Sequence, residues 1–210
     1  NGELKDSPEA ERQLRITIAQ TYRTIGQMER ALEMIRPALA IARATLPADD
    51  RRLARTLTSY AIILLKAEVD LAAATQEAIA VSREAVAIFR AHPESVADLA
   101  LGLQELAFYL ETDGDAEAAV SAAAESVTLY RTLPSVSEAK LAQALHRLGC
   151  AQQLLGKPLE ATQSFREAVT IQRRLHPVGH PDLAVSLAVF GGLLSELSSP
   201  DAEPMLREAM

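Results

Sequence analysis

The chain has 210 residues, with 21 Lys and Arg against 28 Asp and Glu, for a formal charge of −7. At 49% hydrophobic residues it can build a core, which excludes wholesale disorder, and an acidic balance with no Lys/Arg block excludes a general nucleic-acid binder. Ala and Leu supply about a third of the residues and aromatics only 4%, so helices are favoured and an all-β fold is excluded.

The longest apolar run, Leu187 to Leu194, is far short of a membrane span. The single Cys150 leaves no internal disulfide. The chain opens at Asn1 without an initiator Met or a basic-then-apolar signal. The expectation is a soluble, cytoplasmic fragment of something longer.

Internal repetition organises the rest. The first predicted unit, 8–47, opens on Ser7-Pro8, an N-cap followed by Pro at the first helical position. Leu14, Ile18, Ala19 and Tyr22 then fall on one helical face, Gly26 marks a turn, and a second helix carries Ala38, with Pro37 placed to kink it. The second unit, 50–92, repeats the small residue as Ala61 and Ala85, with an insertion around Ala67 to Thr75. Pro93 ends it. The third, 95–134, has Leu103, Leu106, Ala107 and Leu110, then Gly114, Ser126 and Pro134. The fourth, 137–177, follows a capping box at Ser135 to Glu138 and carries Gly149, Gly156, Ala168 and Pro177. The fifth, 181–210, has Gly191 and Ala209.

Ala19, Ala61, Ala107, Gly149 and Gly191 are spaced 42, 46, 42 and 42 apart, and Ala38, Ala85, Ser126, Ala168 and Ala209 are spaced 47, 41, 42 and 41 apart. Antiparallel helices joined by a tight turn approach closely only where the contact residue is small. No single pair buries both its faces, so pairs must stack. The predicted fold is an all-α, right-handed α-solenoid of about five helix-turn-helix repeats in one domain over 1–210. Leu57, Leu103, Leu145 and Leu187 share one register and should be equivalent buried sites.

These features resemble the tetratricopeptide repeat family. The fourth unit carries the resemblance best, through Leu148-Gly149, Gly156, Ala161, Phe165 and Ala168. The 42-residue period, His180-Pro181-Asp182 between repeats and the closing AEPMLREAM are similar to the longer kinesin-light-chain variety. The resemblance implies an interaction module, in bacteria often part of a larger signalling protein such as a kinase. That variety usually sets an Asn pair on the concave face of each first helix. Thr58-Ser59, Gln104-Glu105, His146-Arg147 and Ala188-Val189 stand there instead, so capture by an Asn ladder is not expected.

Catalytic and metal chemistry find little footing. His176 and His180 are four apart but flank Pro177 and Gly179, so they read as linker residues and no metal site is expected. Leu154 to Pro158 has the wrong spacing for a phosphate loop, with Pro158 in place of the magnesium-binding hydroxyl. Cys150 lies one helical turn from His146, but no carboxylate orients the pair, so the expectation is a non-enzyme without cofactors.

The groove-facing positions are more informative. By register they include Ile16, Gln20, Arg23, Arg55, Thr58, Lys66, Gln104, Phe108, His146, Arg147 and Gln153. Arg23, Arg55, Lys66 and Arg147 oppose only Glu105 and Glu111, which predicts a mildly basic wall on an acidic protein. The expected function is a non-catalytic scaffold that takes an acidic or phosphorylated protein segment, with Phe108 as apolar anchor and the Gln side chains as donors. The alternative is a ligand-sensing regulatory domain of a signalling protein. Neither nucleic acid nor a membrane is an expected partner. An uncovered apolar face on the last repeat predicts self-association there.

Overall fold

The computed structural model describes residues 7–67, 70–133, 138–176 and 180–210. Its helices are α1 (Pro8–Thr24), α2 (Met28–Thr45), α3 (Arg51–Ala67), α4 (Leu71–Arg90), α5 (Val96–Asp113), α6 (Ala116–Thr132), α7 (Glu138–Leu154), α8 (Pro158–Leu175), α9 (Pro181–Glu196) and α10 (Ala202–Glu208). A short 3-10 turn over Pro93–Ser95 precedes α5. The described residues contain no strand. The capping box at 135–138, Pro134, Pro177 and part of the insertion lie wholly or partly outside the described residues.

The helices gather into two compact units, one ending at Tyr109 and the other beginning at Leu110. In the first, α1 packs on α2, α2 on α3 and α3 on α4. In the second, α6, α7, α8, α9 and α10 pack each on the next. Both small-residue series do what close packing requires. Ala19, Ala61, Ala107, Ala38, Ala85, Ser126 and Ala168 are all fully enclosed. Leu57, Leu103, Leu145 and Leu187 are each buried, in the expected register.

Local chemistry explains the helix ends. Asp70 and Asp115 cap α4 and α6 by accepting from the backbone N–H of Ala73 at 3.1 Å and Ala118 at 3.2 Å. Ser7 holds the N-cap position with Pro8 behind it, but its side chain makes no capping bond. Pro37 sits inside α2, which runs unbroken from Met28 to Thr45.

Gly26, Gly114 and Gly156 end first helices at φ of 77°, 88° and 75°, in the left-handed region. Each lies seven residues after its small contact residue. Seven residues after Gly191 stands Ser198, also left-handed at φ 54°. That conformation costs an L-residue roughly 1 kcal/mol. Ser198→Gly should therefore stabilise the second unit by about 0.5–1 kcal/mol, read as a higher midpoint in urea; an unchanged or lower midpoint would refute the assignment.

Two expectations about α1 are corrected. Leu14, placed on the packed face, is 44% exposed, whereas Ile16, placed in the groove, is buried at 8%. The buried stripe of α1 runs through Arg12, Ile16 and Ala19. Residues three apart share a helical face, so in α1 the position three before Ala19 goes inward with it. Thr58 before Ala61 and Gln104 before Ala107 are buried for the same reason.

Polar struts tie successive repeats. Along the second helices, Arg43 pairs with Glu84 at 3.1 Å, Arg131 with Glu167 at 2.8 Å, and Arg173 with Glu208. Along the first helices, Arg12 donates to Thr56, Arg55 to Asp98 and Gln143 to Asp182.

Candidate functional site

In the first unit, α1, α3 and the start of α5 enclose a cleft of about 300 Å³. Its floor is apolar, formed by Ile62, Ile63, Phe89 and Leu101. Its rim is polar, formed by Gln20, Arg23, Arg55, Ser59 and Asp98, with the buried Thr58 beneath them.

Three of the expected site residues, Gln20, Arg23 and Arg55, meet in this cleft. Their electrostatic states differ. Arg55 is engaged by Asp98, whose Oδ2 accepts from Nε at 3.0 Å and from Nη2 at 2.7 Å. The Arg23 guanidinium has no ion pair among the described residues and stands exposed at the rim.

The other expected residues lie elsewhere. Lys66 is exposed beside the Gly26–Arg30 turn, in a separate polar hollow. Gln104 is only 7% exposed, and its Oε1 has no hydrogen-bond partner, so it is no surface donor. Phe108 is half-buried with its ring 5.7 Å from that of Tyr109. His146, Arg147 and Gln153 belong to α7 in the second unit.

On α7 the side chains are largely neutral or internally paired. Gln153 donates to Glu196 at 3.4 Å. Arg147 lies 3.9 Å from Glu111, whose side chain is 14% exposed. Burial pushes the Glu111 carboxyl up to about 7 against the opposing pull of Arg147. The wall is therefore not the set of free cations that a count of charges suggests.

Cys150 Sγ lies 3.6 Å from His146 Nε2, and His146 Nδ1 lies 3.2 Å from Ser186 Oγ. The spacing is that of a nucleophile and its base, but the electrostatics oppose it. Burial lowers His146 to about 4 and raises Cys150 to about 12, so at neutral pH both groups are uncharged. A neutral thiol beside a neutral imidazole is a poor nucleophile. His176 and His180 stack at 4.0 Å between ring centroids, and His180 Nδ1 caps α9 by accepting from Asp182 N–H. No group of three or more metal-ligating side chains occurs among the described residues. Nor is any described helix long and apolar enough to cross a membrane.

Asp98 is the charged site residue that the sequence reading missed. A signal was present: Asp-Leu-Ala recurs at 98–100 and 182–184, two periods apart. Asp182 takes Gln143 as its partner just as Asp98 takes Arg55.

Comparison with known proteins fits this geometry. Residues 12–52 and 141–182 match the tetratricopeptide repeat family profile. Over these two stretches the chain carries tetratricopeptide repeats. Its TPR fold is similar to the nearly identical TPR-like repeats assigned to a kinesin light chain of Podosopora anserina, at 21% identity and a TM-score of 0.73 over 96% of this chain and 95% of that one. It is also similar to BtubC (BKLC) from P. vanneervenii, at 19% identity and a TM-score of 0.76 over 98% and 82% of the two chains. A Rap protein complexed with Competence and Sporulation Factor aligns at 14% identity and a TM-score of 0.76, over 97% of this chain and 53% of that one. At these identities the likeness establishes the all-α TPR-like solenoid fold. No curated protein sequence shows significant similarity to the chain.

Proposed function

We propose that this TPR chain is a protein-interaction module whose first unit receives an extended peptide segment in the α1–α3–α5 cleft. The observation that supports it most is the pairing of an apolar floor with a cation at the rim that has no ion pair among the described residues. A segment could lay an apolar side chain on Ile62 and Leu101 and a carboxylate on Arg23. Gln20 and Ser59 would hydrogen-bond its backbone. TPR repeats commonly serve this purpose, and the Rap neighbour is a structure in complex with a factor. Rigid helices lose little freedom on binding, which suits a site built from side chains rather than loops.

A peptide array of random decapeptides, probed with the labelled chain, tests the reading. The captured set should be enriched in sequences that place an acidic residue next to an apolar one. Arg23→Glu should weaken those peptides about tenfold or more and leave helicity unchanged, since Arg23 supports no packing. Binding should also weaken with salt, because an exposed charge is screened within about 10 Å at 0.1 M. Capture that survives Arg23→Glu undiminished would move the site away from this cleft.

A further inference from the structure

We infer that Asp98 determines the charge specificity of the cleft: it is a carboxylate built into the wall that claims Arg55, leaving Arg23, among the described residues, as the one cation of the cleft open to a ligand. The cleft then suits a segment with a single negative charge beside an apolar side chain and discriminates against runs of acidic residues. This rests on the reading of the cleft as a peptide site and names the charge pattern of its partner.

The argument begins with geometry. Arg55 and Asp98 both line the cleft, and two guanidinium nitrogens converge on one carboxylate oxygen. The Asp98 side chain is 27% exposed and that of Arg55 60%, so the pair lies within reach of a ligand rather than beneath it. The charged residues of the lining are Arg23, Arg55 and Asp98. A second ligand carboxylate arriving at Arg55 would have to displace Asp98 or lie beside it, and like charges at contact repel.

The same position elsewhere separates this role from a purely structural one. Asp182 occupies the Asp98 register and reaches back to Gln143, a neutral amide, at 3.0 Å. The strut between successive first helices therefore needs an acceptor on one side and a donor on the other, and it does not need a cation. In the Asp98 strut the donor is charged, and it faces a cleft. Asp98→Asn keeps an acceptor oxygen for Arg55 while removing the charge, so the strut should survive the substitution.

Fluorescence anisotropy at low salt supplies the test, with two C-terminally amidated probes carrying an uncharged BODIPY label: hexaglutamate, and the same peptide with five of its six residues replaced by serine. Asp98→Asn should bind hexaglutamate about tenfold tighter than the parent, and gain less than threefold on the single-charge probe. Arg55→Gln alone should tighten neither probe and should weaken hexaglutamate, because it leaves the Asp98 carboxylate unmatched in the cleft. Asp98→Asn with Arg55→Gln should return to the parent value. Glu117→Gln, on exposed α6 surface, controls for the loss of one negative charge, and thermal melts confirm that each variant folds. No gain in Asp98→Asn beyond that of Glu117→Gln, or a gain that persists without Arg55, overturns the inference. Arg23→Gln separates the two ideas. If it leaves the single-charge probe bound while the Arg55-dependent gain holds, the anchor role of Arg23 falls and the role of Asp98 stands.

Discussion

Replacing Gly149 by Ala should destabilise the second unit by about 1 kcal/mol. A Cβ at this position would lie 2.8 Å from Cε1 and Cζ of Phe165, closer than real Cβ atoms come. Phe165 is fully enclosed and stacks on Phe190 at 5.9 Å, so it has no room to retreat. Overpacking of this kind costs about 1–3 kcal/mol, offset by up to about 1 kcal/mol from the better helix propensity of Ala. Urea unfolding should show the loss as a lower midpoint with an unchanged slope. Phe165→Leu introduced alongside should recover most of it by giving the new methyl group space. If Gly149→Ala melts like the parent, the close-approach argument fails.

The same contact shows how much of the fold was legible. The small-residue series was visible because packing imposes it at every repeat, whatever the surface does. Its size matching could also have been read. Three residues before each member of the second series stand Ile35, Ser82, Ala123, Phe165 and Leu206. Glycine appears in the first series opposite the fourth and fifth of these, and a Cβ at Gly191 would likewise meet Leu206 at 2.8 Å. The groove was harder. Its register placed Ile16 and Gln104 outward, although each stands three residues before a fully enclosed Ala and turns inward with it. Side-chain partners were harder still. Nothing in a count of charges reveals that Asp98 reaches Arg55 from 43 residues away, because that pairing depends on the stacking of two helices.

Glu111→Gln should stabilise the protein by up to about 3 kcal/mol at pH 8 and by nothing near pH 4, at about 1.4 kcal/mol for every tenfold change in proton affinity. The native carboxyl is raised from 4.5 to about 7, so between those values the folded chain holds a proton that the unfolded chain has released. Stability attributable to Glu111 is thus complete below pH 4.5 and is lost as pH rises through about 7. His146 works in the opposite sense. Its native value is lowered from 6.5 to about 4, so its contribution is complete above 6.5 and is lost as pH falls through about 4.

Between pH 4.5 and 6.5 the two slopes oppose each other, and the parent should show a nearly flat stability profile. Glu111→Gln removes one of them. The variant should become steadily more stable as pH rises from about 4 to 6.5 and then level off, while the parent declines toward about pH 8. Chemical denaturation at a series of pH values reads both curves directly. Parallel profiles for parent and variant would show that Glu111 ionises normally.

The arginine–glutamate pairs along the second helices act as a mating rule between modules. Each arginine lies five residues after its small residue and each glutamate one residue before the next, as in Arg131 with Glu167 and Arg173 with Glu208. Such a pair belongs to the joint and to neither module, so a designer could cut and rejoin these repeats wherever both halves of the code are kept. In α2 the acceptor position holds Pro37, while Arg43 supplies the donor. That repeat carries a plug without a socket, and in a reshuffled array it would clamp only to a successor.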